Sequence, residues 1–311
     1  MILILAESTD PWGVALARRL TLRGEPFVLQ DPGELCASTI DRTAEWVQQL
    51  TGVYRGANRP YSGDTGAVRP RAVAVAESDW LAEFNALPCP VVNRLSPDGV
   101  PSCPTGSPAW EAVVSAHGFQ TPCFYNAPNR DEAVAGLDLW GVDAYVKPAG
   151  VLHGGLVLSL DAAKAYVEDL EEDRSVLLAQ ISAGQLVSVF VVGDKVVATV
   201  VRSTPKSGVS AQGACLSPSL LQRCSDLVPA LGLVHAECLL SLSADGLSTC
   251  LDVVASPNYW TCPREAQRQV VSGLVQYLAE DRCESAPIPA VSTAEAVSSG
   301  DCVGTGIPGE R

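Results

Sequence analysis

The stretch LVSVFVVGDKVVATVVRS at 186–203 limits the folds open to this chain more than any other segment. Two valine-rich runs flank the turn V-G-D-K, and β-branched residues on both sides of a tight turn are typical of a β-hairpin. The segment AECLLSLSADGLSTCLDVV at 236–254 repeats this arrangement around A-D-G. The sequence therefore predicts antiparallel hairpins in the second half of the chain, and the helices predicted between them make that half α+β.

The beginning of the chain has a different pattern. ILIL at 2–5 and FVLQD at 27–31 predict two strands. Between them, TDPWGVALARRLTLRG at 9–24 has a polar cap, an early proline, apolar residues at helical spacing and a terminal glycine, all typical of a helix. A strand, a helix and a strand in this order predict a small parallel sheet. It is not a dinucleotide-binding unit, because no G-x-G-x-x-G follows the first strand.

The other segments are turn-rich, helical or without periodicity. Glycine, proline, arginine and asparagine predict a loop at 56–72, and dense turn signals follow at 96–108. The tail from about 284 combines Ser, Pro, Ala and Gly with little periodicity, which predicts disorder. A short strand is expected at 90–94, and helices are expected at 73–87, 109–117, 131–140 and 263–281.

Charge and composition argue against several classes of protein. The net charge of −14, from 35 acids and 21 bases, disfavours a nucleic-acid surface, which needs a basic stripe. No apolar run has the length of a membrane span, and the first residues lack the features of a signal peptide, so we expect a cytoplasmic protein without membrane contact. Eleven cysteines without a C-x-x-C pair argue against a zinc ribbon or a disulfide framework.

Six segments of the chain, taken in order, resemble the ATP-grasp superfamily, in particular its RimK-type, glutamate-ligase-like branch. Each segment alone is unspecific, but chance matches do not keep their order along a chain. The resemblance covers about residues 1–283. The segments are CPVVNR with the loop and helix after it, HGFQTPCFYN, AYVKPAGVLHGGLV, VLLAQIS, LVSVFVVGDKVVATVVRS and LGLVHAECLLSLSADGLSTCLDVVASPNYW.

This resemblance implies a fold of mixed α/β and α+β class. An N-terminal parallel α/β domain, expected at 1–95, precedes an ATP-grasp domain expected at 96–283. The latter has two α+β subdomains, at about 96–180 and 181–283, that clasp a nucleotide. Residues 284–311 form the expected disordered tail.

Lys147 is the first candidate for nucleotide binding. It lies inside the apolar strand DAYVKP, where burial of an unpaired ammonium is unfavourable, and a phosphate would be a suitable partner. The alternative is a lysine at a sheet edge that extends to solvent. The resemblance adds a glycine-rich flap at 150–157, in which Gly154 and Gly155 would offer backbone N–H groups to phosphates. An ordinary hairpin turn would have the same composition.

Three further residues are assigned by their place in the resemblance. Gln180 and Ile181 end the strand that lies beside the adenine in relatives, although an acid usually stands where this chain has isoleucine. A polar residue at a strand end is the alternative for Gln180. Arg202 closes a strongly apolar strand and is the expected catalytic arginine, because its planar guanidinium suits a phosphate or an acyl phosphate. A surface arginine is the alternative.

The expected metal site departs from the family pattern. The last strand usually carries E-x-N, two magnesium ligands that strand alternation places on one face. This chain has Asp252 and Val254 there, with Glu237 as the nearest acid on the preceding strand and Asn258 as a further oxygen donor. A lysine expected before the helix at 109–117 is also missing. The metal set is therefore Asp252, Glu237 and Asn258, with a weakened second position.

The implied function is that of an ATP-dependent carboxylate–amine ligase using ATP and Mg²⁺. An acyl phosphate would be the intermediate, and an amino acid such as glutamate would be added to a cofactor precursor or a peptide. The alternative is a non-catalytic relative that binds a nucleotide or a biosynthetic intermediate, or serves as a partner subunit. The sequence does not identify the acid or the amine, and a homo-oligomer is left open.

Overall fold

The fold is known from a computed structural model of the chain. It describes residues 1–6, 8, 10–31, 50–55, 89–92, 104–149, 154–181, 184–202, 216–244, 246–255, 257 and 262–279. Within these ranges the chain forms three four-stranded sheets and six helices. None of the helices in these ranges has the length and hydropathy needed to cross a bilayer.

The first sheet is parallel and confirms the β-α-β start predicted from the sequence. Helix α1 is capped by Asp10, which accepts from the N–H of Trp12, and it stops at Gly24, whose φ of 70° is in the left-handed region. The elements are β1 (Ile2–Leu5), α1 (Pro11–Arg23), β2 (Phe27–Gln30), β3 (Gly52–Arg55) and β4 (Val91–Val92), in sheet order β2-β1-β3-β4.

The second sheet is antiparallel and has two helices on one face. Helix α2 (Pro108–Ala116) precedes it in the chain and is capped by Ser107. The sheet order is β5-β8-β6-β7. The elements are β5 (Phe124–Ala127), α3 (Arg130–Trp140), β6 (Ala144–Pro148), β7 (Leu156–Leu158), α4 (Leu160–Glu168) and β8 (Val176–Gln180).

The third sheet consists of the two hairpins predicted from the apolar segments at 186–203 and 236–254, and its pairs are antiparallel as expected. One face packs on α5, and part of the other packs on α6 and on the first sheet. The sheet order is β10-β9-β11-β12. The elements are β9 (Gln185–Val192), β10 (Lys195–Arg202), α5 (Pro218–Ala230), β11 (His235–Leu242), β12 (Ser248–Val254) and α6 (Arg264–Ala279).

A β-bulge interrupts β12 at Leu251. Cys250 pairs with Leu240, but the next pair of the ladder joins Asp252 to Leu239. Leu251 is the extra residue, and it packs with Leu239 on the face opposite to Cys250. Bulges re-aim the side chains that follow them. Leu251 and Asp252 therefore both face the second sheet.

The predicted helices at 109–117, 131–140 and 263–281 are found within two residues of their expected bounds. The predicted loop at 56–72, the helix at 73–87 and the tail at 284–311 lie outside the described residues. The mixed α/β and α+β class is confirmed, whereas the domain bounds at 95, 180 and 283 stay predictions. Of the six cysteines within the described residues, five are buried and Cys123 is exposed.

Candidate functional site

The second and third sheets face each other around a small apolar cluster. Tyr145 and Ala179 contribute from the second sheet, and Leu186, Leu239 and Leu251 contribute from the third. On one side of this cluster the polar side chains of β6, β12 and the turn before α2 come together. Strand alternation places Tyr145 and Lys147 on the same face of β6, directed towards β12.

Asp252 is the centre of this polar group. Its carboxylate is fully buried and accepts hydrogen bonds on both oxygens. Oδ1 accepts from Thr105 Oγ1, and Oδ2 accepts from the Tyr145 hydroxyl at 2.6 Å and from the Gly155 N–H at 3.2 Å. Lys147 Nζ lies 3.2 Å from Oδ1 and 3.1 Å from Oδ2. Lys147 also donates to Thr105 Oγ1 at 3.1 Å.

These contacts decide the charge of the group. Burial raises the pKa of Asp252, but the Lys147 ammonium and the hydrogen bonds from Thr105, Tyr145 and Gly155 outweigh it, so the pKa is lowered overall. Burial, and then the negative charge of Asp252, raise the pKa of Tyr145 well above its usual value. The group is therefore an ionised carboxylate, an ammonium and a neutral phenol that donates its proton.

Gly154 and Gly155 lie directly against this site. A Cβ on Gly154 would stand 2.5 Å from Val254 Cγ2, and a Cβ on Gly155 would stand 2.6 Å from the Tyr145 hydroxyl. Real side chains do not approach so closely, so only glycine allows the backbone to pass here. Val254, at the position where the resemblance leads us to expect a second oxygen ligand, thus packs on the backbone of Gly154.

Arg202 and Glu237 form a second ion pair on the same face of the third sheet. The Arg202 guanidinium donates to Glu237 Oε1 and to Ser188 Oγ, and Ser188 Oγ donates to Glu237 Oε1 at 2.6 Å. Glu237 pairs with Val254 across the β11–β12 ladder. It therefore shares a face with Asp252, although each carboxylate contacts its own cation.

The donor set of these two ion pairs suits one magnesium ion. Asp252 and Glu237 are carboxylates on one sheet face, which are the ligands that Mg²⁺ takes, and Lys147 and Arg202 now neutralise them. When a magnesium ion and phosphates bind, the carboxylates of Asp252 and Glu237 would contact the ion, and Lys147 and Arg202 would contact the phosphates. The four side chains therefore fit one ion, because each would exchange its present partner for a group of the same charge. They do not fit a second ion at Val254, which has no oxygen donor. Within the described residues no cluster of three or more His, Cys, Asp or Glu stands ready for a metal.

Gln180 and Ile181 lie at one end of the same interface. Gln180 is exposed, and the N–H of Ile181 donates to the carbonyl of Asp143 at 3.1 Å. That N–H already has a partner in this structure. A cavity of about 350 Å³ adjoins Gln180 between the two sheets, with Trp140 and Leu251 in its wall.

The structure thus brings together Lys147, Gly154, Gly155 and Asp252, and it places Arg202 with Glu237 nearby. Asn258 lies outside the described residues. Sequence reasoning missed Thr105, Tyr145 and Ser188. Tyr145 and Lys147 are two residues apart on one strand, which was a usable signal. Thr105 lies in the segment where the family lysine is missing, and nothing in its sequence context pointed to Asp252.

The comparisons with known proteins agree with this architecture. No protein-family model matches the sequence, and no curated protein matches it either. Among solved structures, the ATP-grasp ligase PsnB with a minimal precursor is similar with a TM-score of 0.63 at 16% identity, covering 90% of this chain and 98% of PsnB. Another PsnB structure holds a minimal precursor, Mg and ADP.

Two further solved structures are similar to this chain over most of its length. The macrocyclase MdnC from Microcystis aeruginosa MRC, bound with the precursor peptide MdnA, has a TM-score of 0.59 at 11% identity, covering 89% of this chain and 99% of MdnC. A RimK domain ATP-grasp protein from Sphaerobacter thermophilus has a TM-score of 0.54 at 17% identity, covering 89% and 99%. At these identities the likeness establishes the fold, and this chain has the fold of the ATP-grasp ligases.

Proposed function

We propose that the chain is an ATP-dependent carboxylate–amine ligase. The observation that carries the proposal is the set of two carboxylates and two cations on the facing surfaces of two sheets. Asp252 with Lys147, and Glu237 with Arg202, supply both signs of charge that a nucleotide phosphate and its metal ion would meet. A magnesium ion, held by Asp252 and Glu237, would neutralise charge on the phosphates.

The protein's own residues would position and neutralise the reacting groups. Lys147 and Arg202 would bind anionic oxygens, and the N–H groups at Gly154 and Gly155 would cover the phosphates. A substrate carboxylate would take the terminal phosphoryl group of ATP, ADP would leave, and an amine would then displace phosphate from the acyl phosphate. Such catalysis depends on orientation and electrostatics rather than on a covalent enzyme group.

A peptide is the substrate class to test first, with a small-molecule acid such as a cofactor precursor second. PsnB and MdnC are solved with precursor peptides, and their fold is shared over most of this chain. Glutamate is the first amine to offer, in line with the glutamate-ligase-like pattern of the sequence. The Lys147–Asp252 ion pair would have to open when nucleotide binds.

ADP release tests the proposal. Purified chain with ATP, Mg²⁺ and peptide acids is expected to release ADP above a control without acid. Asp252→Asn should abolish the release and remove magnesium-dependent nucleotide binding. The same change at Asp226, an exposed acid on α5, should alter neither. Unchanged magnesium affinity in Asp252→Asn would contradict the metal assignment.

A second candidate function is favoured by Val254. Its contact with the Gly154 backbone closes the second ligand position, which suits a relative that binds without catalysing ligation. Such a protein would bind nucleotide without magnesium, or not at all, and would release no ADP with any pair of acid and amine. Thermal shift with ATP, with and without Mg²⁺, separates the two functions before substrates are known.

A further inference from the structure

A groove between α1 and α6 lies on the outside of these two helices and uses none of the site residues. Its volume is about 770 Å³. Arg18 and Arg19 line it from α1, and Arg264 and Arg268 line it from α6. The whole chain is acidic, with 21 bases against 35 acids. Four arginines at one groove therefore make this part of the surface positive, opposite in sign to the chain's net charge.

The wall of the groove between these arginines is apolar. Val14 is 45% exposed and Leu22 is 72% exposed, and both lie on the outer stripe of α1 beside Arg18. The inner stripe of α1, with Trp12 and Leu16, already packs in the core. Val14 and Leu22 therefore lie outside the apolar core that packs α1, and a bound partner could cover them.

The arginines also lack strong partners of their own. Arg268 pairs with Glu265 at 3.6 Å, and both side chains are largely exposed, so this pair is weak. Within the ranges that the structure describes, Arg18, Arg19 and Arg264 make no ion pair. Their guanidinium groups are available to carboxylates, which they bind in a planar, two-point geometry.

We propose that this groove docks an acidic peptide segment that also carries apolar side chains. The arginines would contact the carboxylates, and the peptide's apolar side chains would cover Val14 and Leu22. An acidic peptide fits better than a nucleic acid, because the groove wall between the arginines is partly apolar and a peptide can cover it with apolar side chains, which a phosphate backbone cannot. The proposal does not depend on the ligase function, because the groove shares no residue with the candidate site.

Binding of a defined peptide tests the proposal. The probe is a fluorescein-labelled helical peptide of about 16 residues, with leucines at helical spacing and glutamates elsewhere. Its twin carries lysine at every glutamate position. By fluorescence anisotropy, the acidic probe should bind the full chain and the lysine twin should not. Binding should weaken as salt rises, because exposed charges are screened.

Charge reversal in the groove gives the matched comparison. The double variant Arg18→Glu with Arg19→Glu should bind the acidic probe with an affinity lower by about tenfold or more. Arg23→Glu makes the same change on the same helix at an exposed residue outside the groove, and it should leave affinity within about twofold. ADP release, if present, should be equal in all these variants and so reports separately on the ligase function.

Four results would overturn the proposal. The first is that the lysine twin binds as tightly as the acidic probe, and the second is that the groove variant and Arg23→Glu bind the acidic probe with equal affinity. The third is that a single-stranded oligonucleotide binds more tightly than the acidic probe. The fourth is that the acidic probe does not bind at low salt. A fifth contradicting result is self-association of the chain in light scattering that disappears in the groove variant, because a second copy would then be the occupant.

Discussion

Lys147 and Asp252 form an ion pair between two sheets, with Nζ 3.1 Å from Oδ2, a fully buried carboxylate and a lysine side chain that is 17% exposed. Removal of one partner leaves a buried charge, so Lys147→Met should lower the free energy of unfolding by about 3–5 kcal/mol. The double variant Lys147→Met with Asp252→Asn should lose less unfolding free energy than the two single variants together. The difference from the sum is expected to be about 1–3 kcal/mol. Urea denaturation of the four proteins measures this coupling.

The pair of Lys164 and Asp138, whose side chains are 29% and 58% exposed, is the control for that cycle. It joins the same residue types between α4 and α3. Solvent screens both groups, so the coupling measured with Lys164→Met and Asp138→Asn should be far smaller. Equal coupling in the two cycles would mean that burial of Asp252 has little energetic weight.

Val254→Asn should restore an oxygen donor at the second ligand position. We expect the affinity for ADP to rise by about tenfold in the presence of Mg²⁺ and to stay unchanged without it. Val254→Leu supplies bulk without oxygen and should show no magnesium effect. The measurement is isothermal titration with ADP in both conditions. A rise in both variants would point to packing rather than to a metal.

Gly154→Ala should destabilise the protein by about 1–3 kcal/mol, since its Cβ would stand 2.5 Å from Val254 Cγ2. Truncation of the opposing side chain removes this contact. In a Val254→Ala background, Gly154→Ala should therefore cost much less than it does in the natural chain. Thermal denaturation of the single and double variants checks the expectation, and an equal loss in both backgrounds would contradict it.

His235 should make stability depend on pH between about 6.5 and 4. Burial lowers the pKa of His235 to about 4, whereas the unfolded chain takes up the proton near 6.5. The unfolded state binds the extra proton in this window, so stability is complete above pH 6.5 and falls by about 3 kcal/mol as the pH approaches 4. The Asp252 pKa is lowered, so its own contribution is lost only below about pH 4.

The His235→Leu variant isolates this effect. Its unfolding free energy, measured in urea at several pH values, should lack most of the slope between pH 6.5 and 4. The variant also changes absolute stability, because Trp12 packs edge-on against His235 with 5.6 Å between the ring centroids. Only the slope is diagnostic, and parallel slopes would show that other groups cause the pH dependence.

Much of the fold could be predicted from local chemistry. The helix at Pro11–Arg23 has a capping aspartate, an early proline and a terminal glycine, and these signals act within the segment itself. The hairpins at Gln185–Arg202 and His235–Val254 follow from apolar runs joined by tight turns. The pairing of β9 with β11 was open, because the chain leaves the sheet between them and returns.

The site could be predicted only in part, because its contacts join residues far apart in sequence. Strand alternation predicts that Asp252 and Val254 lie on one face, and the pairing of β11 with β12 confirms it. Asp252 also accepts from Thr105, which lies 147 residues away, and no periodicity links them. The register of Glu237 opposite Val254 depends on the pairing of β11 with β12, which spacing alone did not define.

The bulge at Leu251 determines the chemical surroundings of Asp252. With regular alternation, Asp252 would lie on the same side as Cys250, in the layer with Cys224 and Cys238. Buried thiols there would offer weak donors and no cation, and a carboxylate in such a layer would take up a proton at neutral pH. One inserted residue therefore separates a charged aspartate beside Lys147 from an uncharged acid in a sulfur-lined core.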